Sequence, residues 1–452
     1  MKFVTFILVA LLVVFTFCMA AVPVLLGFAP WHLGHALQVS THMSAKLACS
    51  ARYISGYSPE RVVEDLASYS SVNREVTLVY NDAERTVQAD LFGMADVTAK
   101  YYPATGCALL FTEAESLAAL SKVEGPVTAD AQWPAGEQVS TINTTLQQQL
   151  DWMLADDNQQ GFETRALLVM KNGQVVAESY AQGVTAQTPL LGWSMAKSVT
   201  AMLLGRLMQQ GQLQLGDTAL FAEWAQDERS AIRLEQLLQM SSGLGFDETY
   251  APGSDATHML FTAPSAAQVA LQSPLVQPPG RQFSYSSGTT NLLSRLLSDR
   301  IPGGPQATLN FASRELFAPL GMRHFLFEMD QSGDYVGSSY LYASARDWAR
   351  LGLLMLQQGQ LNGQQLLDAK WVQQATAPNS SDNEKAYGYQ FWLNRGDAVL
   401  RWPELPADAY AMMGNRHQTV MMIPSQNTVL VRLGWSKTQY PMASNFRTLL
   451  SH

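Results

Sequence analysis

The chain has 452 residues, 47% hydrophobic and 15% charged, which suits a large packed core and excludes a disordered chain. Lys and Arg total 29 against 38 Asp and Glu, so the net charge of −9 argues against nucleic acid as a partner. Three cysteines are too few for a disulfide scaffold, and no His/Cys cluster has zinc spacing, so neither a metal nor an organic cofactor is called for.

Residues 3–28 carry no charged side chain, a run longer than the ~20 residues that cross a bilayer, and Lys2 flanks it. Residues 1–31 are therefore expected to form a signal-anchor helix, with the rest of the chain outside the cytoplasm. The competing expectation is a secretory signal cut after the small residues Cys18 and Ala20. Beyond the anchor only Cys49 and Cys107 remain. An oxidising compartment allows them to pair as a disulfide; two buried free thiols are the alternative.

Residues 32–137 read as a second unit. It opens with a polar juxtamembrane link over residues 32–50, followed by a small α/β segment. Ser58-Pro59-Glu60 starts a helix with Pro in its first turn. Residues 75–80 and 86–92 alternate like paired strands around Asn81-Asp82. Gly125 to Glu137, with Pro126, Pro134 and Gly136, marks the boundary to the third unit, residues 138–452.

That unit begins with a helix near residues 142–154. A hairpin follows, 166–170 and 175–180, joined at Asn172-Gly173, the strongest short hairpin signal. A second hairpin, 419–423 and 428–433, precedes a last helix near 444–450. The text between is mostly helical. Strands at both ends and helices in the middle predict an α+β fold: one antiparallel sheet assembled from distant segments, flanked by helices, with an all-helical region.

The sharpest local feature is Gly192-Trp193-Ser194-Met195-Ala196-Lys197, the chain's one Ser-x-x-Lys, followed by an apolar helical pattern up to Gly211. Ser194 and Lys197 at i and i+3 share a face at the helix's first turn, where the dipole favours an oxyanion. Burial lowers a lysine's pKa, and the neutral amine can take a serine proton. The plainer reading is an N-cap serine and a solvated lysine. Downstream, Tyr285-Ser286-Ser287-Gly288 sits at another helix start. Gly192-x-Ser194 also nearly matches the α/β-hydrolase nucleophile elbow, which would require His324 or His417 as base.

Ser194/Lys197 together with Tyr285-x-Ser287 resembles the serine β-lactamase and penicillin-binding-protein superfamily. The likeness is to the class C branch with its esterases and 6-aminohexanoate-dimer hydrolases, over about residues 150–450. The resemblance implies Ser194 as acylated nucleophile, Lys197 as base, Tyr285 as proton relay and Ser287 as a substrate-orienting group. The third motif departs from the family: Gly414-Asn415-Arg416-His417-Gln418 stands where Lys-Thr-Gly or a relative is expected. Asn415 replaces a cation and His417 a glycine, and the Gln418 N–H is the expected second oxyanion donor. Glu248 and Tyr250 are further candidates for the cleft wall.

The reading is thus a serine hydrolase acting on a small ester, amide or peptide-like substrate. The alternative is a penicillin-binding or cell-wall-sensing domain that acylates with little turnover. The resemblance also implies tethering to a bacterial inner membrane, with the catalytic unit in the periplasm. The sequence says nothing of oligomeric state.

Overall fold

The computed structural model describes residues 29–111, 115–123, 130–361 and 363–451. Of the expected anchor, residues 1–31, the charge-free run 3–28 lies outside them. Among the described residues no helix is long and apolar enough to cross a membrane.

The organising element is a six-stranded antiparallel sheet. Its strands are β5 (Thr164–Lys171), β6 (Gln174–Tyr180), β7 (Trp392–Leu393), β8 (Tyr410–Gly414), β9 (Gln418–Ile423) and β10 (Thr428–Gly434), in the order β7-β8-β9-β10-β5-β6. The two predicted hairpins are present. Their turns use left-handed residues, Asn172 (φ 52°) with Gly173 (φ 77°) and Asn427 (φ 46°), conformations in which Asn and Gly meet little steric cost. The hairpins join edge to edge, Thr428 opposite Lys171 and Leu433 opposite Ala166.

Both faces of the sheet are covered, so β5, β9 and β10 read as continuous apolar runs rather than alternating ones. Leu167, Val169, Met421 and Leu430 pack with Leu150 of helix α3 (Thr144–Gln159) and Phe446 of helix α7 (Met442–Leu450). Leu168, Met170, Val429 and Val431 face the larger core. That core holds helices α4 (Met195–Gln209), α5 (Ser287–Arg300) and α6 (Ala345–Leu356).

The N-terminal part departs from expectation. Residues 32–50 are not a polar link: Leu33–Tyr53 form a 21-residue helix, α1, whose second half is buried. Its buried face is mostly small and polar, Ser40, Thr41, Ser44, Ala45, Ala48, Cys49 and Ser50, with Lys46 and a single large apolar residue, Leu47. Small side chains allow close packing but leave no apolar periodicity to read. The helix lies on a four-stranded antiparallel sheet, β1 (Thr77–Asn81), β2 (Thr86–Leu91), β3 (Met94–Tyr102) and β4 (Gly106–Leu109), of which the last two strands were not anticipated. Helix α2 (Pro59–Ala67) is capped by Ser58, with Pro59 in its first turn.

Covalent and polar ties fix α1 to the small sheet and, through Glu328, to the main body. A Cys49–Cys107 disulfide joins it to β4. Lys46 forms an ion pair with Glu328, both buried, and Ser50 Oγ donates to the same carboxylate at 2.8 Å. The Cys107 N–H adds a further bond to Glu328 at 2.7 Å.

Candidate active site

A two-residue strand, Leu190–Leu191, delivers the chain into the turn Gly192-Trp193-Ser194, from which α4 starts. The turn is tight. A Cβ on Gly192 would meet the Trp348 ring at 2.2 Å, and one on Gly414 would meet the Gly192 carbonyl oxygen at 2.1 Å. Trp193 takes a left-handed φ of 48°, uncommon for a bulky residue and characteristic of a sharp functional turn. Ser194 stands at the N-cap of α4, yet its side chain makes no capping bond. The plain N-cap reading therefore fails, and Oγ is turned toward Lys197 instead.

Lys197 is buried to 1% exposure. Its Nζ lies 3.1 Å from Ser194 Oγ, 3.0 Å from Ser287 Oγ and 2.9 Å from the Ser338 carbonyl. Asn291 on α5 holds Ser338, accepting from its N–H at 3.2 Å. Burial depresses the ammonium pKa from 10.5 to about 8, against a smaller opposing pull from Glu248. Roughly a tenth of the amine is then neutral at pH 7, far more than an ordinary lysine would supply.

Tyr285 sits across from this pair. Burial raises the pKa of its hydroxyl above the ordinary phenol value, against a smaller lowering influence from the Ser194 side chain, so it remains protonated. Its ring lies 5.0 Å from Lys197 Nζ and stacks on Trp392 with centroids 5.4 Å apart. At the start of α5 two serines divide the work. Ser286 Oγ caps the helix, accepting from Thr289 N–H at 3.0 Å. Ser287 turns into the site and donates to Glu248 Oε1 at 2.5 Å, while its N–H donates to Glu248 Oε2 at 2.7 Å. Tyr250 donates to Glu248 at 2.9 Å and lies 3.1 Å from Ser287 Oγ. Ser194, Lys197, Tyr285, Ser287, Glu248 and Tyr250 are thereby gathered into one network.

The third motif is only partly brought in. Asn415 lines the cleft beside Ser194, together with Met413 and Gly414 of β8. Gln418 does not: it is buried in β9, and its amide is locked onto both backbone groups of Gly434. Nor does His417, whose carbonyl accepts from Arg432 at 3.0 Å. The cause is the consecutive left-handed residues Arg416 (φ 62°) and His417 (φ 63°), which turn the chain away from the cleft and set the Arg416 guanidinium 3.9 Å over the Tyr69 ring. Among the described residues no histidine lines the cavities at Ser194, so the α/β-hydrolase arrangement is not formed.

Ser194 borders two spaces. One is an open cleft of about 440 Å³ with Tyr285, Glu248, Tyr250, Trp392, Arg401 and Trp402 on its walls. The other is a cavity of about 410 Å³ roofed by α1, with Leu37, Met43, Val72, Trp193 and Phe261 among its lining. Trp392, Trp402, Arg401 and the whole α1 wall escape the sequence reading, because they lie far from the motifs in chain position.

A family model described as Beta-lactamase matches residues 142–445. The 6-aminohexanoate-dimer hydrolase of Paenarthrobacter ureafaciens is 24% identical over 285 residues, covering 60% of this chain and 72% of that protein. A Bacillus anthracis structure, provisionally titled a 6-aminohexanoate-dimer hydrolase, aligns with a TM-score of 0.56 at 23% identity over 69% of this chain and 87% of its own. EstA from Arthrobacter nitroguajacolicus Rue61a aligns with a TM-score of 0.54 at 15% identity, covering 70% and 99%. At these identities the structural likenesses establish the fold.

Proposed function

The chain belongs to the beta-lactamase family, and from that premise we propose that it is a serine hydrolase cleaving an ester or amide through an acyl-enzyme on Ser194. The observation that carries this reading is the buried amine of Lys197, 3.1 Å from Ser194 Oγ with a pKa lowered to about 8. In its neutral form it takes the serine proton as Oγ attacks the carbonyl carbon. The tetrahedral oxyanion is held by the N–H groups of Ser194 at the start of α4 and of Asn415 at the end of β8. The bond to the leaving group then breaks, and the leaving atom takes its proton from Tyr285, which is resupplied by Lys197. Water then attacks the acyl-enzyme as the same two groups take its proton, and the acyl–Oγ bond breaks with that proton returned to Ser194 Oγ, releasing the acid. Ser287 and Glu248 fix the position of the lysine.

A second reading, a penicillin-binding or cell-wall-sensing domain that acylates with little turnover, is favoured by the third motif, where Asn415 replaces a cation. The test is a panel of p-nitrophenyl esters, short linear amides and nitrocefin. The hydrolase reading expects steady turnover of an ester or amide that Ser194→Ala abolishes. A stoichiometric burst with no turnover after it would favour the second. For residues 1–31 we retain the signal anchor, with the catalytic unit outside the cytoplasm. Release of the protein from membranes by alkaline carbonate would overturn that placement.

A further inference from the structure

We propose that the substrate's acyl group is an apolar chain, on the order of ten carbons long, which enters the cavity beneath α1 while the leaving group occupies the open cleft. The inference rests on the reading of Ser194 as the acylated nucleophile and adds to it the chemical class of the acyl donor.

The direction follows from Tyr285. The leaving atom must receive its proton from the relay, so the leaving group has to lie on the tyrosine's side of Ser194. Among the described residues Tyr285 borders the open cleft and not the cavity under α1. The substituent on the other side of the scissile carbonyl is then directed into that cavity.

The chemistry of the wall selects what fits there. None of its lining residues is acidic or basic. Several of its polar side chains are already engaged: Ser40 Oγ donates to Asn73 Oδ1 at 2.6 Å, Asn73 Nδ2 donates to the Leu66 carbonyl at 3.0 Å, and Thr257 Oγ1 donates to the Ala251 carbonyl at 2.9 Å, while the buried Tyr69 hydroxyl and Trp193 indole N–H are left without a hydrogen-bond partner. A charged acyl group would find no counter-charge on this wall, whereas an alkyl chain loses nothing by leaving water. At about 30 Å³ per water-sized group, 410 Å³ has room for on the order of ten methylenes. The rim is apolar as well. Leu33 and Val72 are 50% and 41% exposed, and Phe92, next to the lining residue Leu91, is 71% exposed. The disulfide and the Lys46–Glu328 pair fix the roof in place.

The test uses the full chain and p-nitrophenyl esters from acetyl to tetradecanoyl. The expected kcat/KM rises by about fourfold per methylene and stops rising near ten carbons. Ala36→Phe, on the half-buried lining face of α1, and Val72→Trp, on the opposite rim, each fill the cavity and should move that ceiling to shorter chains. A profile flat or falling from acetyl onward in the unmodified protein overturns the inference while leaving the hydrolase reading intact. So does an unshifted ceiling in whichever of the two variants folds. If no ester of any length is turned over, the hydrolase reading fails by itself, and calorimetric titration with decanoate decides the cavity. Binding that Ala36→Phe or Val72→Trp removes supports the apolar site, and absence of binding overturns it.

Discussion

Replacing Lys197 by methionine separates what the buried amine does for chemistry from what it does to the fold. Its pKa in the folded chain, about 8, lies below the ordinary 10.5, so folding disfavours the charged form. By linkage that difference is roughly 3 kcal/mol of lost stability. The cost is full below pH 8, shrinks as pH rises from 8 toward 10.5, and is absent above. Methionine keeps most of the side-chain volume and carries no charge. It gives up the bond to Ser338, leaving a buried carbonyl unpaired at about 1–2 kcal/mol. Lys197→Met should therefore be more stable than the unmodified protein by about 1–2 kcal/mol at pH 7, with most of the gain gone by about pH 9.5. Ester turnover should fall by about a thousandfold or more. In the unmodified protein kcat/KM should climb roughly tenfold from pH 7 to its plateau, bending near the lysine pKa. Urea unfolding at the two pH values and a pH–rate profile measure all of this. A variant less stable at pH 7, or one that keeps its turnover, would refute the reasoning.

Tyr285→Phe keeps the ring on Trp392 but loses the hydroxyl at Ser194, and steady-state kinetics should show kcat down by about a hundredfold. Gly414→Ala places a methyl 2.1 Å from the Gly192 carbonyl, so β8 must back away from the nucleophile turn. The expected result is a loss of about 1–3 kcal/mol in denaturant melts, accompanied by reduced acylation. Removing the Cys49–Cys107 bridge by paired serine substitutions frees a loop with a sequence separation of 58, which should cost up to about 4 kcal/mol in thermal unfolding.

The readable parts of the sequence were those in which a few neighbouring residues decide the conformation. Asn172-Gly173 sets its turn whatever surrounds it, and three positions on one helix are enough to bring Lys197 to Ser194. Helix α1 is hard to read because Ala, Ser, Thr and Cys, with a buried Lys46 and only Leu47 as a large apolar residue, make up its buried face, and hydropathy does not register packing between small side chains. The sequence points to Gln418 rather than Asn415 as the oxyanion donor, because the turn that separates them depends on left-handed conformations at Arg416 and His417, where no glycine announces it. The cavity under α1 was not legible at all, since its lining runs from Leu33 to Asn415 and no local spacing connects them.

The central claim is that Ser194 becomes acylated. Incubating the protein with a fluorophosphonate probe, followed by peptide mass spectrometry, tests it most directly. The account predicts one equivalent of adduct on the peptide carrying Ser194, formed faster as pH rises through about 8, and none in Ser194→Ala. An adduct on another residue, or undiminished labelling of the alanine variant, would contradict it.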